Sequence, residues 1–273
     1  MVILMSSINS VDLVNSKEIL ESIKLGKRKD GRDLLEYRNL EIKTGFLPSA
    51  DGSSWVKLGN TEIIAGIKFV VGTPYPDSPD KGSMSLNLEL SGLSSPNFIT
   101  GPPQIDAVEF GRVADRAIRH ANIINFEDLA IVPGEKVFIA FIDCIAVNAD
   151  GNLIDATQLA AITALMNAKI PKLDENYNII LKEYTDKDIS MNLKNIPVSI
   201  TFDKVADKII LDSNQVEELA SSARFSLGIV GDTVTSCHKT KGGVFSEEEI
   251  NFMIDTAVGK YAEFSKIILD SRK

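Results

Sequence analysis

Apolar and polar positions change rhythm several times along the chain, and each rhythm predicts an element. Leu13, Ile19, Leu20 and Ile23 fall near one face of a 3.6-residue repeat, which predicts a helix over residues 12–23. The pattern then shifts to strands at 40–44, 54–58 and 61–71. Gly59-Asn60 joins the last two, and because both residues tolerate positive φ the pair predicts a hairpin. Pro74, Pro76 and Pro79 mark 73–82 as a loop. Residues 83–91 alternate strictly, with Met84, Leu86, Leu88 and Leu90 against Ser85, Asn87 and Glu89, the pattern of a strand with one dry and one wet face.

A helix is predicted over residues 106–121. Pro102-Pro103 blocks an earlier start, and Asp106 with Glu109 has the spacing of a capping box. Phe110, Val113, Ala114, Ala117 and Ala121 form its apolar stripe. Arg112, Arg116 and Arg119 recur at i, i+4 and i+7 on another face. Three guanidiniums in a row can hold successive phosphates, and they can equally form a solvated face paired to Glu109 and Asp115.

Residues 136–148 are almost continuously apolar and predict a central strand buried on both faces, with Asp143 as an unusual interior carboxylate, either satisfied by neighbours or catalytic. An Ala- and Leu-rich core helix is expected at 156–168. Strands follow at 198–202, 208–211, 223–230 and 234–239, the last two joined by a turn at Gly231-Asp232. Ser246 with Glu249 is a second capping box, opening a long amphipathic helix that closes the chain. The mixture of hairpins and helices gives an α+β class, divided into an N-terminal helical extension (1–26), a first subdomain (27–170), a connecting segment (171–195) and a second subdomain (196–273).

Composition narrows the function. With 44% apolar and 25% charged residues among 273, the chain can bury a large core. A net charge of −9 argues against a protein that coats nucleic acid indiscriminately, so an anion site has to be a local basic patch such as the arginine row. Cys144 and Cys237 lie in apolar or strand-like runs without metal-ligand spacing, as expected of buried thiols in a reducing cytosol. The Val2-Ile3-Leu4 run is too short for a leader or a span, so a soluble cytoplasmic protein without membrane contact is expected. His120 and His238 are the only histidines, too few for a zinc site; His120 extends the basic helix end and His238 reads as a strand residue. No phosphate-cradling glycine loop occurs, the Glu217-Glu218 pair is weak evidence for acid or metal chemistry, and the basic turn at 27–32 reads as a solvated loop.

Two stretches carry more. Arg28-Lys29-Asp30-Gly31-Arg32 through Arg38, then Gly45, residues 49–54 (SADGSS) and 58–61 (LGNT), resemble in order and spacing the N-terminal signature of the RNase PH family. With the arginine helix, buried strand, core helix and closing helix in the expected order, the similarity covers nearly all of the chain from about Lys27. It implies the RNase PH fold (ribosomal protein S5 domain 2-like), built into six-domain rings that use inorganic phosphate to remove nucleotides from RNA 3′ ends.

The resemblance also implies which parts are missing. Catalytic members bind the attacking phosphate through a Gly-Thr-Arg or Gly-Ser-Arg element at the start of the core helix; the matching place here reads Ala156-Thr157-Gln158, without the arginine. Their two acidic places read Glu217-Glu218 and Ser222-Ala223-Arg224-Phe225, the second with an arginine that removes the acid and repels a metal ion. The combination looks like the non-catalytic RNase PH-like subunit of the archaeal exosome. That resemblance implies no catalytic residue, no metal and no cofactor on this chain, with inorganic phosphate and Mg²⁺ used by a catalytic RNase PH-like paralogue in a three-plus-three hexameric ring carrying S1/KH-type cap subunits. It assigns RNA contacts to Arg112, Arg116 and Arg119, and leaves the 27–32 turn facing RNA or a neighbouring subunit. The alternatives are a self-sufficient phosphorolytic enzyme drawing on Asp143 or Asp155, and a ring subunit that does not touch RNA.

Overall fold

In the computed structural model, which describes residues 10–96, 98 and 101–272, the core is organised by one helix whose every residue is buried. The elements before it are α1 (Ser10–Lys24), β1 (Leu40–Thr44), β2 (Gly52–Leu58), β3 (Thr61–Gly72), β4 (Ser83–Glu89), α2 (Ile105–His120), β5 (Ala130–Val132) and β6 (Lys136–Asn148). The buried helix is α3 (Leu153–Met166). After it come β7 (Lys169–Leu173), β8 (Ile179–Asp188), β9 (Val198–Val205), β10 (Lys208–Leu211), α4 (Gln215–Ala220), β11 (Ala223–Val230), β12 (Thr233–Thr240) and α5 (Glu247–Asp270).

The first sheet runs β1-β2-β3-β6-β4, with β5 also on β6; its pairs are antiparallel except β4 with β6. The second, β10-β9-β11-β12, is antiparallel throughout, and β7 and β8 form a separate hairpin within the segment expected only to connect. Helix α3 lies between the sheets, against β2 and β3 on one side and β9 on the other. Its alanines allow this close approach: a Cβ on Gly52 of β2 would stand 2.6 Å from the Ala168 Cα just beyond the helix. Leu159, Ile162, Ile63, Ile67, Ile142, Ile200 and Phe202 belong to the resulting core. A smaller cluster, Ile19, Ile23, Val205 and Ile210, docks α1 and has Val216 and Ala220 of α4 packed against it.

Several expectations hold with small changes of boundary. The hairpin pairs Leu58 with Thr61, and Gly59 takes φ +60°. The Ser246/Glu249 box caps α5 as expected, with both reciprocal hydrogen bonds present. Met84, Leu86, Leu88 and Leu90 are buried, while Asn87 and Glu89 are exposed. Leu13 and the 2–4 apolar run lie outside the residues whose side chains are described.

Four expectations are corrected. Helix α2 begins at Ile105 with Gln104 as its N-cap, so Asp106 lies inside the first turn and the Asp106/Glu109 capping box does not form; Glu109 instead reaches His238 Nε2 at 2.8 Å. Strand β6 is buried on one face only: its inner residues pack under the helices, but Asp143 and Ile145 on the other face are exposed. The apolar run misled because that outer face carries Ile139, Phe141, Ile145 and Val147. Cys237 is exposed on β12, whereas Cys144 is buried. Finally, the 27–32 turn is not simply solvated. Lys27 and Lys29 are exposed, but Arg28 is buried and Arg32 mostly covered, because both turn inward to the β10–α4 junction.

Candidate nucleic-acid interface

The arginine row stands on a rigid support. Helix α2 packs Val113, Ala114, Ala117 and Ile118 inward against β4 and α3. Gly111 allows the approach to β4, since a Cβ there would lie 3.3 Å from the Leu88 amide nitrogen. The glycine is therefore explained by packing. On the outer side, Arg112 and Arg116 are exposed, one helical turn apart, with no ion pair or hydrogen bond among the described residues. Arg119 differs: its guanidinium pairs with Asp115 at 2.9 Å and donates to the Met84 carbonyl at 3.0 Å, keeping 39% of its side chain in solvent. Arg112 and Arg119 both line a groove of about 770 Å³ that runs along β4 under α2 and past Asp143 and Ile145. Asp143 accepts a hydrogen bond from Asn87 at 3.2 Å at this groove. It is a partly satisfied surface carboxylate, not an interior one.

The second polar region gathers around the start of α3. Gln158 is fully buried and consumed by backbone, donating to the Pro197 carbonyl at 2.9 Å and accepting from Ser199 N–H at 3.2 Å; the Thr157 hydroxyl is buried without a partner among the described residues. Neither reaches an open site. The adjacent Glu217 and Glu218 point apart, as adjacent residues must. Glu217 caps α4 with Asn214 and takes Arg28 Nε at 2.9 Å; Glu218 takes Arg224 at 2.6 Å, and Arg224 also meets Asp203 at 3.1 Å. Burial pushes the Glu218 carboxyl up, while the two carboxylates hold the Arg224 guanidinium firmly charged. No metal-binding group of three or more His, Cys, Asp or Glu side chains occurs among the described residues.

A further cluster was not foreseen from sequence. Asp212, fully buried, accepts from Arg38 Nε at 2.8 Å, Arg38 Nη2 at 2.7 Å, Arg32 Nη1 at 3.2 Å and Asn152 Nδ2 at 2.8 Å. Asp155, also fully buried, accepts from the Tyr37 hydroxyl at 2.8 Å, Asn152 Nδ2 at 2.9 Å and the Thr201 amide and hydroxyl. These bonds tie residues 28–38 to α3 and β9. Only the order of basic residues in 28–38 hinted at it, because the acidic partners lie more than a hundred residues away.

Burial pushes Asp155 from 3.8 to about 6, against the hydrogen bonds from Thr201, Asn152 and Tyr37 that favour its ion, with the Asp212 charge adding to the rise. The folded chain then keeps a proton that the unfolded chain releases between pH 3.8 and about 6. This group's contribution to stability therefore falls as pH rises through that window. In urea denaturation Asp155→Asn, which cannot titrate, should flatten the pH dependence of the midpoint across the window; an unaltered slope contradicts the assignment.

The order of these elements has clear relatives. The model of the 3′ exoribonuclease (RNase PH) family's first domain matches residues 36–171, and that of its second domain matches residues 195–260. The chain belongs to the RNase PH family. It is 43% identical over 273 residues to exosome complex component Rrp42 of Thermococcus gammatolerans, covering 98% of each chain. With the same component of Pyrococcus horikoshii it shares 39% over 257 residues, 93% of each. Among solved structures, a chain of the Archaeoglobus fulgidus exosome with RNA bound to the active site superposes with TM-score 0.87 at 33% identity, covering 94% of this chain and 99% of that one. A chain of an archaeal exosome core gives TM-score 0.83 at 31% identity, with 94% and 97% covered. The RNase PH family thus accounts for both sheets and for the α3 core between them. Among the described residues no helix is long and apolar enough to cross a membrane.

Proposed function

We propose that this chain is the RNA-holding, non-catalytic subunit of an archaeal exosome ring, alternating three-plus-three with a catalytic RNase PH-like paralogue and carrying S1/KH-type cap subunits. The observation that carries the reading is the pair Arg112 and Arg116, two exposed guanidiniums one turn apart with no partner among the described residues, on a helix packed too firmly to turn them away. Such groups grip phosphates without reading bases. Arg119, already spent on Asp115 and Met84, is a lesser contact. The cleavage chemistry, with inorganic phosphate and Mg²⁺, belongs to the partner. Support for this comes from the start of α3, where Gln158 is buried in backbone contacts and Arg224 is neutralised by two carboxylates.

The test is phosphorolysis of single-stranded RNA in phosphate and Mg²⁺. The purified chain alone should release no nucleoside diphosphate, and mixing it with the catalytic paralogue should produce release in an equimolar assembly. Steady release by this chain alone would replace the reading with a self-sufficient enzyme.

A further inference from the structure

Arg112 has no ion pair among the described residues although two carboxylates stand within one helical turn of it. Glu109 precedes it by three residues and Asp115 follows it by three, a spacing at which side chains on a helix meet. Arg116 has no such neighbour, because the residues three and four away from it are Arg112, Val113, Arg119 and His120. The freedom of Arg112 therefore depends on where Glu109 and Asp115 go, and both are taken by other donors. Asp115 receives Arg119 through both oxygens, from Nε at 3.0 Å and from Nη2 at 2.9 Å. Glu109 turns to the second sheet: a carboxylate only accepts, so His238 of β12 donates from Nε2 to Glu109 Oε1 at 2.8 Å. That bond forms with the ring neutral as well as charged.

Backbone packing holds the two elements in this relation. Glu109, Val113 and Ala117 recur at i, i+4 and i+8 along one side of α2. A Cβ on Gly228 of β11 would stand 3.3 Å from the Ala117 Cβ, and Gly228 is paired with Ser236 of β12, two residues before His238 on the same strand face. The pair itself lies at the surface, with 32% of the Glu109 side chain and 25% of the His238 ring exposed. Released from His238, the carboxylate has water and Arg112 as its alternatives.

We propose that His238 is a positioning residue for RNA binding: by holding the Glu109 carboxylate on β12 it keeps Arg112 free of its i,i+3 partner, as Arg119 does with Asp115. The inference rests on the RNA-holding reading above and deepens it, giving the second sheet a part in presenting the grip on α2.

The experiment compares His238→Ala with wild type, alone and in chains carrying Glu109→Gln, which keeps the shape of that side chain and removes its charge. In the full-length chain without RNA, His238→Ala should shift the Arg112 Nε–H resonance in a salt-sensitive way, and Glu109→Gln should abolish the shift. In the ring assembled with the catalytic paralogue, His238→Ala should lower affinity for single-stranded RNA about twofold at low salt, the weight of one exposed helical ion pair. The same change should cost nothing where Glu109→Gln is already present. His238→Gln, whose amide nitrogen can take the Nε2 position, should behave as wild type. Should alanine unsettle the strand, His238→Thr, a strand former without the reach, takes its place. An Arg112 resonance unmoved by the loss of His238 overturns the proposal. So does a loss of RNA affinity equal in both backgrounds, which would make His238 an RNA contact or a support of the fold. Failure of the RNA-holding reading shows separately: Arg112→Glu with Arg116→Glu would then leave RNA affinity unchanged, while the RNA-free resonance still decides whether His238 keeps Arg112 unpaired.

Discussion

Replacing Arg112 and Arg116 together by glutamate in the assembled ring should lower affinity for single-stranded RNA about a hundredfold at low salt. Each charge-assisted contact to a phosphate is worth about 1.5 kcal/mol or more, and two give about 3 kcal/mol, which is that factor. The loss should be the same for RNAs of unrelated sequence, since backbone contacts do not read bases. It should also flatten the salt dependence: with about 0.7 counterions released per single-strand phosphate contact, the log–log slope should fall by about 1.4. Neither side chain is used in packing or pairing within the described chain, so its thermal stability should be unchanged. Arg119→Glu should cost RNA affinity less and stability more, because it breaks the Asp115 pair and the bond to Met84. Unchanged RNA affinity in the double variant would leave the chain a purely architectural subunit.

The largest effect on folding is expected at Asp212. Its carboxylate joins Arg38, Arg32 and Asn152 in a fully buried position, and its backbone sits at φ 48°, a left-handed conformation that asparagine accepts readily. Asp212→Asn therefore keeps the backbone but removes the charge and turns an amide NH2 toward N–H donors, because both carboxylate oxygens only accept here. Two largely covered guanidiniums lose their shared counter-charge, which should cost about 3–5 kcal/mol and lower Tm by roughly 10 °C in a chain of this size. Calorimetry or urea unfolding reads it directly. A loss under about 1 kcal/mol, the scale of an exposed pair, would show that water reaches the cluster.

The parts of this molecule visible in its sequence are those set by near neighbours. The alternation of residues 83–91, the Gly59-Asn60 turn and the Ser246/Glu249 box each depend on residues a few positions apart, and each took its expected form. The arginine row is of the same kind, because i, i+4 and i+7 fix a helix face before any tertiary contact is known. What sequence could not supply was the fate of each charge. Arg28 and Arg32 look like Lys27 and Lys29 in a basic turn, yet the arginines are drawn inward by Glu217 and Asp212, about 180 residues away. Glu109 has the spacing to cap α2 from Asp106, but the N-cap lies two residues earlier, at Gln104, and His238 on β12 claims the carboxylate. Asp143 was misjudged because an apolar run does not reveal whether both faces of a strand are covered, and here only one is.

The parallel addition of β4 to β6 leaves β4 as the last strand of its sheet, bordering the groove. Open sheet edges recruit further strands, and proteins keep them from doing so by surrounding them with charge. Arg112, Asp115, Arg119 and Asp143 line the groove at this edge. In the proposed reading, Arg112 guards this edge against added strands as well as gripping RNA. Alanine there would weaken both duties at once and confuse lost binding with lost solubility. Glutamate inverts the attraction for phosphate while leaving the edge as charged as before, which makes it the cleaner replacement.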